Sequence, residues 1–316
     1  MSFSVLGAGV AGLCCATALA ERGARVEVIA PTGAPAPASR LAGGMLAPFC
    51  EGESAPREVV MAGQAAVGWW GERVQSLVRR GTLVVAPARD AGELDRFARA
   101  TEGHDRIDPA TLEPELAGRF ARGLFYAAEA HMDPREALAT LRARLEAVGV
   151  AFHDGPPGGR VIDCRGLGAT DHSGDRLSDL RAVRGEMLVV DAPDIGLSRT
   201  VRLLHPRFPC YVVPRGAGRY MIGATMVESA RSGPVTARAV MELLSAAYAL
   251  HPGFAEAELV ETGAGLRPAF PDNLPAIRRV GGRIHVNGMY RHGFLMAPVL
   301  AEGLAEALCK EEADAD

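Results

Sequence analysis

Lysine is almost missing from this chain of 316 residues: of its 34 basic residues only Lys310 is not arginine. A Schiff-base enzyme or a P-loop needs a lysine inside the fold, so both are excluded. Cysteine pairs are missing too. Cys14, Cys15, Cys50, Cys164, Cys210 and Cys309 form no Cys-x-x-Cys spacing, and the first two are adjacent. That argues against a disulfide framework or a zinc site and fits the reduced thiols of a cytoplasmic protein. The eight histidines show no His-Glu-x-x-His or His-x-His spacing, so no metal is expected. A net charge of -4 is small for this length and gives no sign of a nucleic-acid or membrane-surface partner. There are no internal repeats and no membrane-spanning run. The uncharged stretch from Ser2 to Ala20 could pass for a signal peptide, but it lacks a basic start and is interrupted by Gly7, Gly9 and Gly12.

Those glycines belong to something else. Phe3 to Leu6 is a short apolar run, followed at once by Gly7-Ala8-Gly9-Val10-Ala11-Gly12. Leu13, Ala16, Leu19 and Ala20 then recur at helical spacing until Gly23, and Ala24 to Ile29 alternates as a strand. This is a βαβ unit with Gly-x-Gly-x-x-Gly at its first turn. Glycine lets the backbone approach a pyrophosphate, and the helix N-terminus aims free N–H groups at the charge. Dinucleotide binding is expected on Gly7, Gly9, Val10, Ala11 and Gly12.

Farther on, residues 31 to 56 read as a long Pro/Ala/Gly-rich loop, which in a compact domain is usually functional. A helix is expected from about Pro56 to Val78, then strand, helix and strand across 82 to 130. Asp133 to Gly149 reads as an amphipathic helix with Leu138, Leu141, Leu145 and Val148 on one face. Arg160 to Gly166 reads as a buried strand running into a glycine turn. Met187 to Val190, Cys210 to Val213 and Tyr220 to Ile222 read as strands, and a helix follows from Thr236 to Leu250. Ile277 to Val286 reads as a hairpin turning at Gly281-Gly282, and 294 to 309 as a terminal helix.

Five segments then carry a resemblance: Gly7 to Gly12; Ala42-Gly43-Gly44-Met45-Leu46-Ala47-Pro48; Val183-Arg184-Gly185-Glu186; Cys210 to Arg215 with Gly223-Ala224-Thr225-Met226; and Gly265-Leu266-Arg267-Pro268 with Tyr290-Arg291-His292-Gly293. In that order they resemble the D-amino-acid-oxidase-like flavoproteins, most closely the glycine oxidases of thiamine biosynthesis. The resemblance implies a mixed α/β fold in which a Rossmann-like FAD-binding domain is interleaved with a substrate domain built on an antiparallel sheet. The division expected is 1–76 with 131–180 and 261–316 for FAD, and 77–130 with 181–260 for substrate. It also implies FAD as cofactor and oxidation of a small amine or amino acid at its C–N bond. Glycine would become its imine with O2 reduced to H2O2.

Roles follow residue by residue. Arginine is the side chain for bidentate recognition of a carboxylate in a closed site. The family's carboxylate-binding arginine falls on Arg267, kept extended by Pro268. Arg291 falls beside flavin and substrate, and Tyr211 on a substrate-contacting tyrosine. Gly43, Gly44, Met45 and Leu46 fall along the isoalloxazine. Met289, Tyr290, Arg291, His292, Gly293, Phe294 and Leu295 lead into the last helix, whose N-terminus would favour negative charge on the flavin. Pro298 is expected in its first turn.

Three departures stand out. Ala30 replaces the acidic residue that ends the second strand and holds the ADP ribose. Residues 153 to 160 form a short turn where relatives carry a longer meander that partly contacts the cofactor. Pro209 takes the place of a polar pocket residue. The first two lead to an expectation of weakened FAD retention. Two rival readings are a D-amino-acid or proline-like dehydrogenase passing electrons to a carrier, and a non-catalytic nucleotide-binding member of the fold. The sequence leaves a homo-oligomer open.

Overall fold

The computed structural model describes residues 2–33, 36–170, 177–207 and 209–314. The chain opens with β1 (Ser2–Leu6), α1 (Val10–Ala20) and β2 (Arg25–Ile29), the expected βαβ unit. The stretch read as a loop is partly ordered: a 3-10 turn at Ala38–Leu41 precedes β3 (Met45–Leu46) and the single-turn α2 (Pro48–Glu51). Next come α3 (Arg57–Arg73), β4 (Thr82–Val85), α4 (Ala91–Ala100), β5 (Asp105–Ile107), β6 (Gly123–Tyr126) and β7 (Ala130–His131). The helix expected to reach Val78 stops at Arg73. Val74 is extended, and Val78 is drawn into a β-bridge with His131.

Asp133 caps α5 (Pro134–Ala147) by accepting from the backbone N–H of Arg135 and Glu136, with proline at the first helical position. Val148, expected on the buried face of this helix, is 71% exposed because it lies beyond the last turn, and Val150 is buried in its place. The remaining elements are β8 (Ala151–His153), β9 (Arg160–Asp163), β10 (Arg181–Asp191), β11 (Thr200–Leu203), β12 (Cys210–Gly216), β13 (Arg219–Gly223), β14 (Val227–Glu228), α6 (Ala237–Leu250), β15 (Glu258–Ala269), β16 (Ala276–Val280), β17 (Arg283–Asn287) and α7 (Gly293–Ala313).

Two sheets result. The first runs β16-β17-β9-β1-β2-β8 and is parallel except for the β16–β17 hairpin. Its order reverses between β1 and β9, which is where an open parallel sheet binds ligands at its carboxyl edge. Helix α1 is buried almost all round because it packs against α5 and α7 as well as the sheet. The second sheet runs β14-β10-β13-β12-β11-β4-β6-β5, with β15 also paired to β10. It is antiparallel except at β4–β11. Because β15 pairs with β10 along its length, the domain boundary expected at residue 261 falls inside a strand.

Pro298 sits a turn deeper in α7 than expected. It cannot donate to the Phe294 carbonyl four residues back, and that oxygen instead accepts from the buried Trp70 indole N–H at 2.8 Å.

Candidate active site

A cavity of about 590 Å³ lies where the N-termini of α1 and α7 meet β10, β12 and β15 of the second sheet. Val10, Gly43, Gly44, Met45, Tyr211, Arg267, Met289, Tyr290, Arg291, Gly293, Phe294 and Leu295 all line it. Pro209 lines it as well. Gly7, Gly9, Ala11, Gly12, Ala30, Leu46 and His292 do not. Gly7 has φ +97°, and a Cβ on Gly12 would fall 1.9 Å from the Gly7 carbonyl oxygen, so Gly12 serves the close packing of helix on strand. Leu46 is fully buried in the apolar core, on the far side of β3 from Met45.

The Gly43-Gly44 segment is held by contacts that the sequence did not reveal. Buried Arg215 donates to the carbonyls of Met132 and Gly43 at 3.0 Å, and the Gly44 carbonyl accepts from Met132 N–H at 3.0 Å. With those carbonyls engaged, the segment has its N–H groups to offer a ligand. A Cβ on Gly44, whose φ is +67°, would fall 2.0 Å from the Met132 carbonyl, and one on Gly43 2.7 Å from the Tyr211 ring. No acidic side chain stands in the first turn of α1 or α7 to repel an anion. Close backbone approach, free donors and two helix N-termini on one cavity are what a flavin dinucleotide requires.

The two arginines differ. Arg291 is neutralised by buried Glu51, with Nη2 3.2 Å from Oε2, and also reaches Ser54 Oγ at 3.4 Å. His292 Nδ1 lies 3.2 Å from the same Glu51 oxygen, though not aligned for a hydrogen bond. Burial pushes the Glu51 carboxyl up, but Arg291 and His292 together outweigh it and bring it down to about 2. Arg267 donates to the Thr225 carbonyl at 3.1 Å, and among the described residues no carboxylate pairs with it. Its surface is open only in part, and desolvation lowers its pKa. Gly185 on β10, two residues along from Val183, the residue opposite Arg267, makes room for the guanidinium: a Cβ there would fall 2.2 Å from Nη2. Burial raises the pKa of the Tyr211 hydroxyl, against the pull of Arg267 and Arg291.

Tyr290 holds a left-handed φ of 41°, rare outside glycine, and its N–H donates to the Pro268 carbonyl at 2.8 Å. That bond ties the loop bearing Arg291 to the strand bearing Arg267. Gly185, Arg215 and Thr225 stood in the segments that carry the resemblance but were given no role there, and Glu51 was not singled out at all. Glu51 had one available signal, a lone carboxylate at the end of the apolar stretch after Gly43-Gly44.

The family model for FAD dependent oxidoreductases, DAO, matches residues 3–307. The provisionally assigned thiamine biosynthesis oxidoreductase ThiO of Rhizobium etli is 53% identical over 99% of this chain and 98% of its own length. D-amino-acid oxidase of Rubrobacter xylanophilus is 29% identical, covering 92% and 89%. Among solved structures, glycine oxidase of Geobacillus kaustophilus superposes with a TM-score of 0.79 at 24% identity, over 96% of this chain and 94% of that one. Iminodiacetate oxidase of Chelativorans superposes at 0.81 with 20% identity, over 98% and 95%. With the family match spanning nearly its whole length, the chain belongs to the DAO family of FAD-dependent oxidoreductases.

Proposed function

We propose that this protein oxidises a small amino acid, glycine first among the candidates, at its C–N bond, giving the imine for the thiazole branch of thiamine biosynthesis. The observation that carries this is Arg267. It is a permanently charged guanidinium in the cavity wall, with no carboxylate of its own among the described residues. An enclosed unpaired cation is unfavourable, and a substrate carboxylate relieves it in bidentate geometry. Rhizobium etli ThiO, at 53% identity, supports the pathway assignment. FAD, when bound, supplies the two-electron acceptor.

The chain's residues orient the substrate. Arg267 fixes the carboxylate, and the Tyr211 ring and Met45 bound the space for the amine-bearing carbon. The N–H groups of Gly43 to Met45 and the start of α7 hold the ring system. Glu51, held near 2 and paired with Arg291, is too weak a base to take a proton from that carbon at neutral pH. We assign the cofactor half to the first sheet with α1, α5 and α7, and the substrate half to the second.

Oxygen is the proposed electron acceptor. A cytoplasmic location fits the free thiols, none of which is in a disulfide among the described residues, and no described helix is long and apolar enough to cross a membrane. The test is anaerobic titration of the purified protein with glycine, sarcosine, D-alanine and D-proline while the flavin absorbance is followed, then admission of air with a peroxide assay. Bleaching by glycine and one H2O2 per turnover are expected. Bleaching by D-proline alone, with no oxygen uptake, would replace the oxidase with a dehydrogenase. No bleaching by any amine would refute the proposal.

A further inference from the structure

The adenosine end of the cofactor site lacks its usual anchor. β2 ends at Ile29, and Ala30 has no side-chain acceptor for the ribose hydroxyls. The nearest carboxylate on β2 is Glu27, which is already committed. It accepts from Ser4 Oγ at 2.5 Å and Gly158 N–H at 2.7 Å, and lies 3.0 Å from His153 Nε2. Those bonds, Ser4 first, draw its carboxyl down to about 2.

The next strand outward supplies another. β8 pairs in parallel with β2, Ile29 opposite His153, so Asp154 follows in register beside Ala30 at the same carboxyl edge. The Ala30 N–H donates to the His153 carbonyl at 2.9 Å, which locks the two strand ends together. The chain after Asp154 is pinned from several sides. Gly155 N–H donates to His153 Nδ1 at 3.0 Å, leaving Nε2 protonated toward Glu27. Gly158 N–H is held by Glu27, and Gly159 N–H by Ser4 Oγ at 2.7 Å. The shortened 153–160 turn is therefore a built element, fixed by three side-chain bonds to β1 and β2 and one within itself. Asp154, which follows His153 at its start, is exposed and has no ion-pair or hydrogen-bond partner among the described residues.

Pyrophosphate at the start of α1 puts the ribose toward the end of β2, and the base lies beyond it over the outer strand. We infer that Asp154, displaced one strand outward, takes the ribose hydroxyls of FAD in place of the missing acidic residue at Ala30. This rests on the FAD assignment of the family and deepens it. It also changes the retention expected from Ala30 alone: the anchor has moved, and FAD stays bound.

The experiment measures the FAD dissociation constant of apo-protein by quenching of flavin fluorescence, with circular dichroism and thermal midpoints to confirm folding. Competition by ADP and by 2′-deoxy-ADP is measured alongside. A hydrogen bond to a charged acceptor predicts that Asp154→Ala weakens FAD about tenfold or more. Ala30→Glu in that background should restore most of the loss. ADP should outcompete 2′-deoxy-ADP clearly on the wild type and scarcely on Asp154→Ala. An unchanged FAD constant in a folded Asp154→Ala, or undiminished discrimination between the two nucleotides, overturns the role of Asp154. A wild-type chain that quenches no FAD overturns the cofactor reading along with it.

Discussion

Replacing Arg267 with methionine should divide function from stability. The side chain is enclosed, donates one hydrogen bond to the Thr225 carbonyl, and faces no carboxylate among the described residues. A desolvated charge without a counter-ion disfavours the folded state, and methionine fills similar volume without that penalty, so the apo-protein should keep or gain stability. One Thr225 carbonyl loses a donor, roughly 1 kcal/mol, which offsets part of the gain. The net expected is between zero and about +2 kcal/mol, read as an unchanged or raised midpoint in urea. Substrate binding goes the other way. Loss of a charge-assisted bidentate pair in an enclosed site is worth roughly 3 kcal/mol or more, at least ~100-fold in KM for an amino acid. A neutral amine lacking the carboxylate should lose far less, and FAD content should not change. Wild-type KM for glycine, or an apo-protein destabilised by more than about 2 kcal/mol, would refute the reading of Arg267 as a clamp held for its ligand.

Three further outcomes are expected. Gly185→Ala, by forcing the Arg267 guanidinium aside, should raise KM for amino acids about tenfold or more while leaving the FAD dissociation constant within twofold. Trp70→Phe should lower stability by about 1–3 kcal/mol by orphaning the Phe294 carbonyl; adding Pro298→Ala, which restores an N–H at that position of α7, should recover part of it in the same denaturation assay. Burial raises the Glu129 carboxyl to about 7, despite the Cys50 N–H it accepts. The folded state thus holds a proton that the unfolded state releases near 4.5, and the stability it contributes falls as pH rises from about 5 to about 7. Glu129→Gln should therefore gain over wild type across that window, by on the order of 1–3 kcal/mol, and level off above it; a constant difference from pH 5 to 8 would show that Glu129 does not titrate there.

The elements with strong local patterning were legible without coordinates. The βαβ unit, the Asp133-capped helix and the Gly281-Gly282 hairpin each carry their own start and stop chemistry, and each appears within a residue or two of its expected bounds. What the sequence hid depends on residues far apart in the chain. Arg73 ends its helix because Val78 finds His131, 53 positions on, and Pro298 is tolerated because Trp70 reaches Phe294. In the site, glycine and arginine positions were visible through their motifs, while the parts taken by Glu51 and Arg215 were not. Their significance lies in which distant charge or carbonyl they meet, and no local spacing encodes that.

That difference also explains how two neighbouring arginines take different parts. Arg291 and Arg267 line one cavity, and two uncompensated guanidiniums there would repel each other and oppose folding. Glu51 neutralises one inside the protein, so Arg291 is a fixed wall element whose charge is already answered. Arg267 remains the cation with an open claim on an anion. Had both been paired, a carboxylate substrate would need to displace an internal partner; had neither been, the empty site would be harder to fold around. The Tyr290–Pro268 bond ties the segment of one to the strand of the other, and on the function proposed above the substrate carboxylate goes to Arg267 at one end of the cavity and the amine-bearing carbon toward the other. On the same proposal, selectivity for a small amino acid would come from the room between Arg267 and the Gly43–Met45 backbone, with Tyr211 and Pro209 in the cavity wall limiting the side chain that fits.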